Sequence, residues 1–246
     1  MADPRNYING SWIAARSGKT FENRNPATGQ AIQSFPDSDA SDIAAAVSAA
    51  RAAQRQWAAT PAPKRGAILF RAAEMLLRRK EELARDLVEE MGKVLPEAQG
   101  DIQEGIDMTY YMAGEGRRLS GVTVPSELPD KFAMSVRQPV GVVGAITPWN
   151  FPLAIPSWKI MPALVAGNTV VFKPSEYSPK SAWNLVRVLE EAGLPPGVLN
   201  MVTGQGAEPG AALVEHPDVE LISFTGSNAV GRRVAVRCAE LGKQVA

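Results

Sequence analysis

Three places in this sequence could do chemistry, and at each an apolar run stops on polar residues. The first lies within Val140–Ser175, where two β-type runs, Val140–Ile146 and Thr169–Phe172, flank Pro148-Trp149-Asn150-Phe151-Pro152. Proline has no N–H to give a ladder, so a central strand cannot run through this segment. A buried strand that stops in a rigid turn presents side chains at the carboxyl edge of an α/β sheet. Asn150 is the polar residue so presented. The second place is Lys173-Pro174-Ser175-Glu176. A lysine and a carboxylate at a strand's carboxyl end can hold the two hydroxyls of a ribose. Glu176 would accept a hydrogen bond from a 2′-hydroxyl and repel a 2′-phosphate. The same four residues also read as an ordinary charged loop. The third is Phe224-Thr225-Gly226-Ser227, running on to Gly231. A strand ending at a helix N-terminus offers free N–H groups and a positive dipole end to an anion. Gly226 would let the backbone approach a ligand, and Gly231 would pack the helix on the sheet. Ser227 would equally serve as a simple N-cap.

Other residues invite a chemical reading and do not sustain it. Gly204-Gln205-Gly206-Ala207-Glu208-Pro209-Gly210 follows a strand and opens a helix, but its third glycine is one residue too far for G-x-G-x-x-G. Cys238 shares a helical stripe with Val230, Val234 and Leu241, which makes it a small core residue rather than a nucleophile. His216 precedes Pro217 at a helix end and reads as a loop residue. With one Cys and one His in the chain, neither a His/Cys metal cluster nor an internal disulfide can form.

The elements that must position these residues are legible in order. Residues 6–36 read as a β-rich entry with a hairpin at Asn9-Gly10, a turn at Asn25–Gly29 and strands near Thr20–Asn23 and Ala31–Phe35. From Asp39, a capping residue, the pattern turns helical, with Ile43, Val47, Ala50 and Trp57 on one face. Pro61–Lys80 predicts a second helix with Leu69, Ala72, Ala73, Leu76 and Leu77 inward. Glu81–Gly92 predicts a third, and a fourth follows from Pro96 to about Leu119. The run Arg78–Glu82 reads as a solvated helix face. Residues 121–138 are extended again and suggest a protruding β-hairpin, a candidate contact between copies because its edges must be covered. Strands at 140–147, 169–174, 198–203 and 221–225 then alternate with helices at 154–166, 179–192, 207–215 and 227–241. That alternation predicts a doubly wound parallel sheet. Gln244-Val245-Ala246 looks like the start of a further strand, which suggests a truncated chain.

Composition narrows the classes. The chain has 246 residues, 26 basic and 26 acidic, so there is no electrostatic footprint for nucleic acid or an anionic membrane. No apolar run reaches the ~18 residues of a membrane span. The first residues show no signal-peptide h-region, and a single Cys fits a reducing compartment, so a cytoplasmic location is expected.

Taken together, the motifs resemble the NAD(P)-dependent aldehyde dehydrogenase superfamily, with a semialdehyde dehydrogenase flavour. The matches are T-P-W-N-F-P at 147–152, W-K at 158–159, P-A-L-x-x-G-N-T-V-V at 162–171 and K-P-S-E at 173–176. Others are A-G-L-P-P-G-V-L-N at 192–200, V-T-G at 202–204 and F-T-G-S at 224–227, with N-P-A-T-G at 25–29 and M-G-K at 91–93. The resemblance implies an aldehyde dehydrogenase-type, Rossmann-like α/β fold: a parallel sheet with helices on both faces, a helical and β entry region and a protruding hairpin. It implies a NAD-binding domain from residues 1–120 and 140–246, incomplete at its end, an oligomerisation hairpin at 121–139, and no catalytic domain in this chain.

The resemblance also implies roles. Asn150 is the oxyanion donor and Lys159 a residue of the proton relay. Ile146, Thr147, Pro148, Trp149, Lys173, Glu176, Gly206, Gly226, Ser227 and Val230 contact the cofactor, and Phe151 and Trp158 wall the substrate tunnel. NAD is the expected cofactor, favoured by Glu176, with NADP as the alternative. The implied reaction oxidises an aldehyde or semialdehyde to the carboxylic acid through a Cys thiohemiacetal and thioester. The Cys and the E-L-G-G-type Glu that the family uses are not in this sequence, so the chain alone is expected to be inactive. A homodimer or homotetramer is implied for the full-length protein, with no metal, nucleic acid or membrane partner. The competing expectation is a non-catalytic nucleotide-binding or interaction module of the same fold. Chemistry producing acyl-CoA, or reducing glutamate semialdehyde, is disfavoured by the W-N-F-P and K-P-S-E forms.

Overall fold

The chain enters through a tight hairpin of β1 (Asn6–Ile8) and β2 (Ser11–Ile13), with Tyr7 opposite Trp12. Asn9 and Gly10 take φ of 51° and 76°, the positive values that a two-residue type I′ loop requires. A second antiparallel ribbon follows, β3 (Thr20–Arg24) with β4 (Ala31–Pro36). The computed structural model describes residues 5–205 and 208–246.

Four helices come next: α1 (Ala40–Ala59), α2 (Ala62–Arg78), α3 (Lys80–Met91) and α4 (Leu95–Glu115). Asp39 starts α1 in a capping box: its carboxylate accepts from the Ser41 N–H at 2.8 Å, and Asp42 reaches back to the Asp39 N–H. Along α2, Leu69, Ala72, Ala73 and Leu76 are buried as the periodicity requires, but Leu77 is 46% exposed. Leu77 lies about 100° around the helix from Leu76, beyond the stripe that neighbouring helices cover. α4 ends at Glu115 rather than near Leu119, between Gly114 and Gly116, where low helix propensity favours a stop.

The segment 121–138 does form a hairpin, but a short one. β5 (Thr123–Val124) pairs antiparallel with β6 (Ala133–Met134). Beyond it the alternation is complete: β7 (Val142–Ile146), α5 (Ala154–Val165), β8 (Thr169–Lys173), α6 (Pro179–Glu191), β9 (Leu199–Met201), α7 (Glu208–Glu215), β10 (Leu221–Phe224), α8 (Asn228–Glu240) and β11 (Gln244–Val245).

The main sheet has the order β11-β10-β7-β8-β9-β1-β2. From β11 to β9 every pairing is parallel, whereas β1 joins β9 antiparallel, with Tyr7 opposite Met201. The sheet is therefore mixed: the entry hairpin completes it instead of preceding it. Asn6 holds the junction, since its Oδ1 accepts from the Thr203 N–H at 2.9 Å and its Nδ2 donates to Ser38 Oγ at 2.7 Å. This pairing covers the edge of β9 that the parallel strands leave open.

Alternate strand residues feed two cores. Val143, Val170 and Phe172 pack with α2 to α6 on one face, and Val142, Val171 and Ile222 pack with α1, α7 and α8 on the other. From β7 the chain winds outward through β8 and β9, then crosses back to place β10 on the other side of β7. That reversal puts a crevice at the carboxyl ends of β7 and β10, the place where open α/β sheets hold ligands.

Candidate dinucleotide cleft and amide turn

The crevice is a cleft of about 590 Å³. Three strand ends converge on it because the ladder continues past the strands: the Thr147 N–H donates to the Lys173 carbonyl at 3.3 Å, and the Thr225 N–H to the Ile146 carbonyl at 3.1 Å. The end of β7 contributes Ile146, Thr147, Pro148 and Trp149 to its wall. The end of β8 contributes Lys173, Ser175 and Glu176. Lys173 Nζ lies 3.4 Å from Glu176 Oε2. The lysine is almost wholly buried, and burial pushes its ammonium below the usual lysine pKa against the opposing pull of Glu176. The pair leaves a carboxylate acceptor and a cation side by side at the cleft.

The end of β10 supplies Phe224, Thr225, Gly226 and Ser227. Ser227 Oγ accepts from the Val230 N–H at 3.4 Å, so Ser227 is the N-cap of α8. Its capping role and a position beside a bound anion are compatible, because both place it at the positive end of the helix. Gly231 packs α8 against the sheet as expected, and Gly226 has a purpose beyond close approach to a ligand. A Cβ on Gly226 would lie 2.6 Å from Phe224 Cζ, and one on Gly231 would lie 3.3 Å from Phe224 Cε1. Both glycines make room for the Phe224 ring.

Between α7 and α8 the cleft narrows to an apolar slot lined by Gly210, Ala211, Val214, Val230 and Val234. Arg237 ties its two walls together. Its guanidinium reaches Glu215 on α7 through two hydrogen bonds of 2.6 Å each and Glu240 on α8 through one of 2.9 Å. These bonds hold the Arg237 cation above, and the Glu215 carboxylate below, their ordinary pKa values. Sequence reasoning missed the slot apart from Val230. Its signal is the spacing of Val230, Val234 and Arg237 along α8, but the α7 wall becomes visible only when the helices are packed.

The structure thus gathers the expected cofactor residues at one cleft, except Gly206, which lies outside the described residues. Asn150, Phe151, Trp158 and Lys159 are not among the residues that line this cleft. Asn150 is exposed on the turn directly after Trp149, Phe151 is half-buried, and Trp158 is exposed on α5. Lys159 is half-buried and donates from Nζ to Ser223 Oγ on β10 at 3.2 Å, and burial pushes its ammonium pKa down.

Cys238 is fully buried under α8, which raises its thiol pKa. His216 Nδ1 accepts from the Asp218 N–H at 3.2 Å in a surface turn. Among the described residues no cluster of His, Cys, Asp and Glu could hold a metal ion, and no helix is long and apolar enough to cross a membrane.

Comparison with known proteins bears on this arrangement. The chain is 44% identical over its whole length to alpha-ketoglutarate semialdehyde dehydrogenase of Haloferax volcanii, covering 51% of that protein. A crystal structure described as an E. coli NADP dependent enzyme superposes on 99% of the chain with a TM-score of 0.96 and 39% identity, over 50% of its own length. Betaine aldehyde dehydrogenase from Staphylococcus aureus, solved with NAD+, superposes on 100% of the chain with a TM-score of 0.96 and 33% identity, again over 50% of its length. The chain spans about half the length of the curated relatives it matches. The model of the aldehyde dehydrogenase family matches residues 12–246, both the cleft and the amide turn included, and the chain belongs to that family.

Proposed function

We propose that the cleft binds the adenylate portion of a nicotinamide dinucleotide, NAD in preference to NADP, in an enzyme that oxidises a semialdehyde to its carboxylic acid. The observation that carries this reading is the convergence, at one switch-point crevice, of three kinds of donor set. The apolar slot of Ala211, Val214, Val230 and Val234 suits a flat base. Lys173 and Glu176 suit the ribose hydroxyls, with Glu176 setting the preference for a 2′-hydroxyl over a 2′-phosphate. The start of α8, at Gly226-Ser227, suits the pyrophosphate. When bound, the dinucleotide supplies the hydride acceptor.

The chain's own residues would do the rest of what this half can do. Asn150 donates its side-chain amide to the aldehyde oxygen, where negative charge develops as a nucleophile adds to the carbonyl carbon. A fixed donor at that point acts on the transition state more than on the ground state. Phe151 and Trp158 offer apolar walls to the substrate. Lys159, with its lowered pKa, is suited to hold and pass a proton. The semialdehyde class is supported by the similarity to the Haloferax volcanii protein. The one thiol present, Cys238, is sealed in the core, so the 246-residue chain should bind dinucleotide without turning over aldehyde. NADH formation by the purified chain with an aldehyde would contradict this.

The hairpin at 121–139 is proposed as a contact between copies. Its Val124, Phe132 and Met134 side chains are exposed by 52%, 76% and 63%, which is costly to leave in water. The sparse use of cysteine supports a cytoplasmic location.

A further inference from the structure

A buried ion pair from outside the cleft reaches the turn that carries Asn150. α3 ends at Gly92, whose φ of 73° turns the chain back and sends Lys93 inward. Lys93 Nζ lies 3.8 Å from the centroid of the Phe151 ring, 3.5 Å from Asp101 Oδ2 and 3.8 Å from Oε1 of the half-exposed Glu97, with the Lys93 side chain 7% exposed and that of Asp101 0%. Asp101 stands on α4, and its other oxygen accepts from the Ala154 N–H at 2.8 Å. That donor is the first of α5, and α5 has no cap of its own, because Leu153 occupies its N-cap position. The Phe151 carbonyl accepts from the Ile155 N–H at 3.1 Å. The residue after Asn150 is therefore held by its ring from below and by its carbonyl from the helix.

An ammonium and a carboxylate withdrawn from water are expensive unless fully partnered. Here neither the Lys93 Nζ nor Asp101 Oδ2 makes a hydrogen bond of proper geometry within the described residues. A hydrophobic pair would fill the same space at less cost. What a hydrophobic pair could not supply is a cation on the face of Phe151 together with an acceptor at the start of α5.

We infer that Lys93 and Asp101 are positioning residues for the Asn150 turn, clamping Phe151 and the first residue of α5 on either side of the segment that leads from the amide. The inference rests on the reading of Asn150 given above, but the order of the turn can be measured without reference to that reading. Amide hydrogen exchange is followed by mass spectrometry in the 246-residue chain. The variants are Lys93→Met/Asp101→Asn, which removes both charges while keeping an acceptor for the Ala154 N–H, Phe151→Leu, which leaves the ion pair intact, and Lys93→Arg. The first two are expected to speed exchange over residues 149–155 by about tenfold or more, with β7 and β8 unchanged, and Lys93→Arg, which keeps a cation for the Phe151 ring, to keep wild-type protection. Unchanged exchange over 149–155 in the neutral pair or in Phe151→Leu would overturn the inference. So would acceleration spread evenly over the chain, or failure of Lys93→Arg to protect the turn. Failure of the Asn150 reading would show elsewhere, as undiminished aldehyde turnover when Asn150→Ala is made in an enzyme carrying this chain.

Discussion

In the proposed function Asn150 and Glu176 divide the labour: one would act on the reacting carbonyl and the other on the ribose. Glu176 lines the cleft and Asn150 does not, which yields a prediction at the residue scale. In an enzyme carrying this chain, Asn150→Ala should lower kcat/KM for aldehyde by about 10²–10³. The same substitution in the 246-residue chain should leave dinucleotide affinity unchanged, since Asn150 is not among the residues that line the cleft. A matched loss of NAD binding would contradict the assignment. The place of both residues was legible from sequence, because each follows a buried strand at a break marked by proline. Arg237 and Glu215 were not. Each is an ordinary surface charge along its own helix, and only the packing of α7 against α8 makes them a brace across the slot. Gly226 was legible as special but for an incomplete reason: the ring of Phe224 occupies the space beside it.

At the scale of elements, two helices beside β8 begin without a local cap and borrow one from a distant helix. Asp101 on α4 serves α5, and Glu90 on α3 serves α6 by accepting from the Lys180 and Ser181 N–H groups at 2.6 and 2.9 Å and from Ser181 Oγ at 2.7 Å. Capping signals in sequence are local, so Asp39 before α1 could be read and these two could not. The Glu90 cap has a consequence for pH. Complete burial raises its carboxyl from the ordinary 4.5 to about 7, outweighing the hydrogen bonds that favour the charged form. Between those values the folded chain keeps a proton that the unfolded chain has lost. The Glu90 contribution to stability is therefore greatest at acid pH, falls as pH rises from about 4.5 to about 7, and levels off above. Urea unfolding at pH 5 and pH 8 should show the wild-type chain losing more stability than Glu90→Gln over that interval. Parallel pH profiles for the two proteins would contradict the account. The borrowed caps also explain why α3 and α4, far from the cleft in sequence, bear on the loops around it.

At the scale of the whole molecule, the alternation of strands and helices from Val140 onward announced the parallel sheet and its switch point. The antiparallel edge was hidden, because β1 is three residues long and its pairing with β9 spans most of the chain. A local hairpin signal such as Asn9-Gly10 specifies the turn and not the sheet it joins. The 121–139 hairpin stands apart from the main sheet, as the β3–β4 ribbon does, and its exposed apolar side chains predict self-association. Phe132→Glu should shift the molecular mass measured by light scattering toward the monomer while leaving the circular dichroism spectrum intact. An unchanged mass, or a monomeric wild type, would assign the hairpin another role. We propose the switch-point cleft as a dinucleotide site tuned by Glu176. Its most direct test is calorimetric titration of the 246-residue chain with NAD and with NADP, before and after Glu176→Thr. The wild-type chain should bind NAD more tightly, and the substitution should move the NAD-to-NADP affinity ratio by about tenfold, ~1.4 kcal/mol, toward NADP. No binding of either dinucleotide, or a ratio that Glu176→Thr leaves unchanged, would contradict it.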